Sequence, residues 1–388
     1  MHHQFNNGKT YLSSSKEPVA QSTPKNVEET TDEPARLSPT YKAAFEQVKG
    51  ALSQMVSDDK ALNLLLHFTV EYLSANEESF SKGNAEGSAE KSAQRMLNGI
   101  KLGFTYGMGE NKYRFGSSHK ALRGINPEDE DGNTYDYYAF GCDFFRPCMD
   151  MDNSIVLGED NIKKAMDQVA AGENVVFFAN HQSEADPQVF SVCLESLGFG
   201  ESAEAVTYVA GHKVTTDPLA VPFSMGRNLI CIHSKKHIDV DPETKPVKQR
   251  QNLAAMSALL ETLRNGGASI WVAPSGGRDR RNVETREVPI APFDSKTIDM
   301  FRLMANKSKV PTHYYPLAMV SYDLCPPPDY VDSGVGEQRN VRFVPVGIAC
   351  GEEVASVGGL ESRSSFCKAT EDECKKGYDA ILGMLKKE

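Results

Sequence analysis

Three features of this chain predict an α/β fold, in which helices cover a largely parallel or mixed sheet behind a small N-terminal helical bundle. Helix-period and strand-like segments alternate from about residue 160 onward, while residues 38–112 carry helix-period stripes alone. At 388 residues the chain can hold one large α/β domain and a smaller unit. The boundaries that follow are a tail over 1–37, a helical bundle over 38–112 and an α/β domain over 113–388.

The tail is rich in Ser, Thr, Pro, Glu and Asn, a composition that cannot bury enough surface to fold, so it is expected to be disordered. Its first 16 residues lack acids, as organelle-targeting segments do, but acids from Glu17 onward break that pattern. Ser38-Pro39 signals a helix start, and Tyr41, Phe45, Val48, Leu52 and Met55 recur on one face. Leu62, Leu65, Phe68, Val70, Tyr72 and Leu73 mark a second helix. After a Gly/Ser/Ala-rich loop over 81–88, Ala93, Met96, Leu97 and Ile100 mark a third, which Gly99 and Gly103 are expected to break. These stripes need one another to be buried, which makes a bundle the economical arrangement.

In the second part, residues 160–170 read as an amphipathic helix and 175–179 as a buried strand. A helix follows with Asp186 as N-cap and Pro187 in its first turn. Residues 206–210 and 229–232 read as strands. Residues 249–263 form a helix with Leu253, Met256, Leu260 and Leu263 on its inner face, ended by Gly266-Gly267. Residues 269–273, 315–320 and 341–346 complete at least six strands. Pro326-Pro327-Pro328 imposes an extended loop, and Thr370 with Glu373 forms a capping box opening the last helix.

The chemistry gathers at strand ends. Asn180-His181-Gln182-Ser183-Glu184-Ala185-Asp186-Pro187 places a histidine and an aspartate five positions apart, between a strand and a helix. A neutral imidazole takes a hydroxyl proton when a buried carboxylate holds its tautomer and stabilises the cation formed. Lys235-Lys236-His237 follows one predicted strand, and Pro274-Ser275-Gly276-Gly277-Arg278-Asp279-Arg280-Arg281 follows another. A base and two cationic clusters at strand ends describe a site for an anionic substrate. Lys235 is read as a solvated charge. Arg278 and Arg280, on a Gly-Gly turn after a buried strand, are read as functional. Backbone N–H groups near Gly276-Gly277 or Arg227 are candidate donors to an oxyanion. Ser275 is taken for a turn residue, since no Gly-x-Ser-x-Gly elbow supports a Ser-His-Asp hydrolase.

These residues carry a resemblance. The chain resembles the soluble glycerol-3-phosphate 1-acyltransferases of plastids, over the motif from Asn180 to Pro187, Thr216-Asp217-Pro218-Leu219, the run from Pro222 to Leu229, Ser234 to His237 and Ala273 to Arg280. The regions 135–147 and 291–294 add to it. The resemblance implies a four-helix bundle followed by an α/β acyltransferase domain around a mixed sheet. It implies transfer of a fatty acyl group from acyl-carrier protein, or acyl-CoA, to the sn-1 hydroxyl of glycerol 3-phosphate, in the plastid stroma. His181 is then the base, Asp186 its orienting partner, and Lys236, His237, Arg278 and Arg280 the phosphate ligands, with no metal or cofactor. An acidic stretch at 126–134 is longer than the family's pattern and reads as a solvated insertion. Two rivals remain, a lysophosphatidate acyltransferase and a non-catalytic phosphate or acyl-carrier binding module. The first would be expected to carry membrane-inserting segments, and the second to have lost part of the residue set.

Composition narrows the partners further. A net charge of −11 favours neither nucleic acid nor an anionic membrane surface. No apolar run approaches the roughly 20 residues of a bilayer span. The eight cysteines include no Cys-x-x-Cys pair, which points away from zinc and towards small core residues in a reducing compartment.

Overall fold

The computed structural model describes residues 33–123, 135–233, 238, 241–327, 338–355 and 359–386. Most of the expected tail and the acidic insertion at 126–134 lie outside these residues. The tail boundary moves, however: Glu33–Arg36 forms a 3-10 turn and Leu37 is buried in the core.

Helices α1 (Pro39–Met55), α2 (Asp59–Ser81) and α3 (Ala89–Gly107) follow. Their apolar stripes face inward as the spacing predicts, with Tyr41, Phe45, Val48 and Leu52 buried and only Met55 of that set exposed. Asp58 caps α2 by accepting from the Ala61 N–H at 3.0 Å. Contrary to expectation, α3 runs unbroken through Gly99 and Gly103. Its glycines serve close approach: a Cβ would stand 2.9 Å from the Pro218 carbonyl oxygen at Gly103, and 2.5 Å from Pro218 Cα at Gly107. Among the described residues three α-helices precede the first strand, and the fourth of the group comes from beyond it. This is α4 (Tyr137–Phe145), whose Phe144 stacks on Tyr72 of α2 at 4.3 Å and accepts the Tyr72 hydroxyl through its carbonyl at 2.9 Å.

The sheet has eight strands: β1 (Ser118–His119), β2 (Ile155–Leu157), β3 (Asn174–Ala179), β4 (Thr207–Gly211), β5 (Asn228–Ile232), β6 (Ser269–Val272), β7 (Thr312–Val320) and β8 (Gly347–Cys350). Their order is β1-β5-β4-β6-β3-β7-β8-β2. From β5 to β7 in that order neighbours run parallel, while β1 on β5 and β8 on β7 are antiparallel. The sheet is therefore mixed, as predicted. Val175, Val176, Phe177, Phe178 and Ala179 of β3 are all buried, as befits a central parallel strand covered on both faces. Phe177, Tyr208 and Trp271 share one face with α1–α4 and with α6 (Asp186–Ser196). Val176, Phe178 and Ile270 face α9 (Lys245–Asn265), α10 (Ser295–Ser308) and α11 (Arg363–Leu385). Helices α5 (Glu159–Ala170), α7 (Gly200–Ala205) and α8 (Val221–Met225) also lie among the described residues.

Several local expectations change in the folded chain. Residues 341–346 do not form a continuous strand: Val344 makes an isolated bridge to Met149, Pro345 has no N–H to donate, and the β8 ladder begins at Gly347. On α9 Ala255, Leu259 and the expected Leu263 are buried, and the expected Met256 and Leu260 pack partly buried against the same core, while Leu253 is 69% exposed. The last helix opens at Arg363, where the Ser362 hydroxyl accepts from the Ser365 N–H at 3.1 Å. Thr370 lies inside that helix and donates to the Phe366 carbonyl instead of capping. The Gly266-Gly267 stop behaves as read, with φ of +72° and +67°. All eight cysteines are buried and unpaired.

Candidate active site

Parallel strands bring their C-terminal ends to one edge of the sheet, so the loops leaving β3, β4, β5 and β6 meet there. The loop after β3 carries His181. Its Nδ1 stands 2.7 Å from Asp186 Oδ2, and its ring packs edge-to-face on Trp271 of β6 at 5.9 Å. With Nδ1–H given to the carboxylate, Nε2 keeps its lone pair and can take a proton. The His181 side chain is 28% exposed, whereas Asp186 is wholly buried.

Asp186 opens α6 but does not cap it. Its carboxylate turns back into the preceding loop and accepts from the Gln182 N–H at 2.8 Å and the Ser183 N–H at 3.1 Å. The Ser183 hydroxyl at 3.2 Å and the Ser321 hydroxyl at 2.5 Å complete the shell. A carboxylate so enclosed cannot rotate away from the imidazole. Gln182 locks the loop from below: its Oε1 accepts from the Ser321 N–H at 2.8 Å, and its Nε2 donates to the Tyr378 hydroxyl at 3.1 Å.

The loop after β6 turns at Gly276, with φ of +68°, and the Ser275 hydroxyl donates to the Gly277 carbonyl at 2.9 Å. Along Arg278-Asp279-Arg280 the side chains alternate. Asp279 is fully buried, Arg278 lies at the rim and Arg280 is exposed. Asp279 accepts from Asn180 Nδ2 at 2.9 Å and from the Ala291 N–H at 2.8 Å, and its own N–H donates to the His181 carbonyl at 2.5 Å. Burial pushes its carboxyl up to about 6, against the lowering effect of those two donors. The arginine loop and the histidine loop are thus bound as one unit.

Residues 155–320, which include all of these groups except Ser321 and Tyr378, match the family described as Acyltransferase. This stretch is similar to that family over most of the central sheet. The chain is 42% identical over 290 residues to the chloroplastic glycerol-3-phosphate acyltransferase of Arabidopsis thaliana, covering 74% of this chain and 58% of that one. Against the protein of the same description from Phaseolus vulgaris, identity is 40% over 271 residues, or 69% and 56% of the two chains. Against that from Spinacia oleracea it is 39% over 273 residues, or 70% and 55%. The chain spans a little over half the length of the curated relatives it matches.

Of the residues singled out in the sequence, the fold brings His181, Asp186 and Arg278 together, with Arg280 on the same loop. Lys236 and His237 lie outside the described residues. The strand leading to them ends at this same sheet edge, where His233 stacks on His212 with ring centroids 3.7 Å apart. Burial, and then the His233 charge, push His212 down to about 4. Two expected oxyanion donors are engaged elsewhere: the Arg227 N–H bonds the Ser224 carbonyl and the Gly276 N–H the Ala273 carbonyl, both at 3.1 Å. The Arg227 side chain is buried, donating to Ser191 Oγ at 2.6 Å and lying over the Tyr138 ring at 4.6 Å.

Sequence reasoning missed Arg339. Its Nε donates to Glu184 Oε2 at 2.9 Å and its Nη2 to Asp217 Oδ2 at 2.7 Å, with the side chain only 11% exposed. Glu184 also meets Arg278 Nη1 at 3.4 Å through its other oxygen. No local pattern marks Arg339, although Glu184 and Asp217 both sit in motifs already singled out. Among the described residues, no helix is long and apolar enough to cross a membrane.

Proposed function

We propose that this protein is a glycerol-3-phosphate 1-O-acyltransferase, moving a fatty acyl group from acyl-carrier protein or acyl-CoA to the sn-1 hydroxyl of glycerol 3-phosphate. The observation that carries the reading is the His181–Asp186 pair at 2.7 Å, bound through Asp279 to the loop of Arg278 and Arg280. Relatives at about 40% identity that bear this activity in their names support it.

In this mechanism His181 Nε2 takes the proton of the sn-1 hydroxyl as that oxygen attacks the thioester carbonyl carbon. Asp186 stabilises the imidazolium that forms. The tetrahedral intermediate then collapses, the C–S bond breaks, and the departing thiolate recovers the proton from His181. The acyl group passes directly to the alcohol, so no serine or cysteine nucleophile and no cofactor is required. Arg278 and Arg280, with Lys236 and His237, hold the phosphate as bidentate and point-charge ligands and so place the hydroxyl against the base. We take residues 38–112 as a helical unit supporting the acyltransferase domain over 113–388, and the plastid stroma as the site of action, following relatives described as chloroplastic.

The test is release of free thiol from an acyl thioester, measured with and without glycerol 3-phosphate. Release that depends on glycerol 3-phosphate and yields its 1-acyl ester supports the reading. Release that needs the 1-acyl ester as acceptor instead would make the protein a lysophosphatidate acyltransferase, and no release with either acceptor would leave a binding module.

A further inference from the structure

Asp217, Arg339, Glu184 and Arg278 form a line of alternating charge that runs into the site from the side. Arg339 grips Asp217 at 2.7 Å and Glu184 at 2.9 Å, and Glu184 reaches Arg278 at 3.4 Å. Three of the four side chains are nearly closed off from solvent, at 11% for Arg339 and 12% for Asp217 and Arg278, and Glu184 stands at 31%. Charges this poorly hydrated interact strongly and are hardly screened by salt. Burial alone would oppose the charge on Arg339, but Glu184 and Asp217 outweigh it and raise its pKa.

The far end of the line is anchored. Asp217 Oδ1 accepts from the Leu219 N–H at 3.0 Å, and the next residue, Pro218, is seated on Gly103 and Gly107 of α3. A Cβ at Gly107 would stand 2.5 Å from Pro218 Cα, so helix and turn are in direct contact. The N-terminal helices therefore hold Asp217 in place, and Asp217 holds Arg339.

Glu184 is the sensitive member, because it belongs to the loop between His181 and Asp186 and carries a negative charge beside the acceptor's own. Left uncompensated, it would claim the Arg278 guanidinium and repel a phosphate. We propose that Arg339 is a positioning residue that neutralises Glu184, leaving the Arg278 charge available to the phosphate of the acceptor, with Asp217 and α3 fixing Arg339 for that task. This rests on the reading of Arg278 as a phosphate ligand.

The experiment is acceptor kinetics on the full chain, with KM for glycerol 3-phosphate, KM for the acyl donor, and kcat measured separately. R339M should raise the acceptor KM about tenfold, within the range for members of one ion-pair network. Donor KM and kcat should stay within about twofold, the level of residues outside the network. The double variant E184Q/R339M should return the acceptor KM to that of E184Q, because the charge that needed neutralising is gone. A merely structural role for Arg339 predicts no such rescue. An unchanged KM in R339M, or a double variant no better than R339M, overturns the proposal. Should R339M fail to fold, R339K serves in its place. Lysine keeps the charge but cannot fork between two carboxylates, so KM should rise about threefold and again fall back in E184Q/R339K. An unchanged KM in R339K, or no fall in that double variant, overturns it equally. R278A separates the two readings: if it discriminates glycerol 3-phosphate from glycerol as well as the wild type does, the assignment of Arg278 has failed. If it loses that discrimination while the Arg339 variants behave as wild type, only the role of Arg339 has failed.

Discussion

Asn180 and Asp279 are joined by a buried hydrogen bond of 2.9 Å, linking the residue before the histidine to the residue between the two arginines. Asn180 is itself fixed to β7, donating to the Met319 carbonyl at 3.0 Å and accepting the Met319 N–H at 2.7 Å. Base and cationic loop are thereby registered against the same central strand. A shift of the arginine loop would have to drag the histidine loop with it, the kind of preorganisation that the proposed acyl transfer needs.

His181→Ala is expected to lower kcat by about 10²–10⁴-fold, the usual contribution of a general base, while glycerol 3-phosphate still binds. Asp186→Asn should also lose rate, because an amide that donates to Nδ1 selects the wrong imidazole tautomer. Steady-state kinetics with calorimetric titration of the acceptor checks both. Near wild-type turnover in either variant would remove His181 from the role of base.

Arg278→Ala and Arg280→Ala should act on the acceptor alone. Truncating one partner of a desolvated charge pair costs about 2–5 kcal/mol, so Arg278→Ala should raise the glycerol 3-phosphate KM steeply, and Arg280→Ala, at an exposed position, should raise it less. Glycerol, lacking the phosphate, should be a poor acceptor for the wild type and little worse for the variants. Equal loss with both acceptors would show that these arginines do not read phosphate.

Asp279 gives a pH dependence with a definite sign. Its carboxyl is raised from 3.8 to about 6 in the folded protein, so the folded state binds the proton more tightly than the unfolded chain does. Stability from this group is therefore fully present below pH about 4 and is lost as pH rises through about 6. Compared with Asp279→Asn, the wild type should gain relative stability as pH falls across that window, by up to about 3 kcal/mol at 1.36 kcal/mol per unit. Urea unfolding of both proteins between pH 4 and 7 measures it. A difference that stays flat would mean the carboxyl titrates where it does in water.

Gly107→Val is expected to push α3 away from Pro218, since even a Cβ there would stand 2.5 Å from Pro218 Cα. Overpacking at such a contact costs about 1–3 kcal/mol. Substitution of Gly50, where a Cβ meets nothing within 4 Å, should not lower stability. Thermal unfolding of the two variants compares them, and equal melting temperatures would show that the helix–turn contact is soft.

The chain's own order of residues determined the parts of this protein that depend on near neighbours. The inward stripe of α1, the apolar run of β3 and the Gly266-Gly267 stop were legible because period and turn chemistry act within a few positions. So was the placing of His181, Asp186, Arg278 and Arg280 after strands, since each lies beside the apolar run that carries it. Only the tertiary structure decided what crosses the chain. The strand order, the turning of the Asp186 carboxylate towards Ser321, the burial of Asp279 on Asn180 and the bridge of Arg339 from Glu184 to Asp217 join residues that are 99 to 155 positions apart, or 122 for the last pair. Local exceptions had the same origin. Residues 341–346 gave a single bridge at Val344 with Pro345 interrupting the ladder, and Leu253 stayed in solvent, because the sheet's partners and the place of neighbouring helices overrode a pattern that was correct in its own short window. A period says which side chains share a face, but only the packed chain says what that face meets, and partner choice between distant loops is settled by burial and by the pairing of charges that water no longer screens.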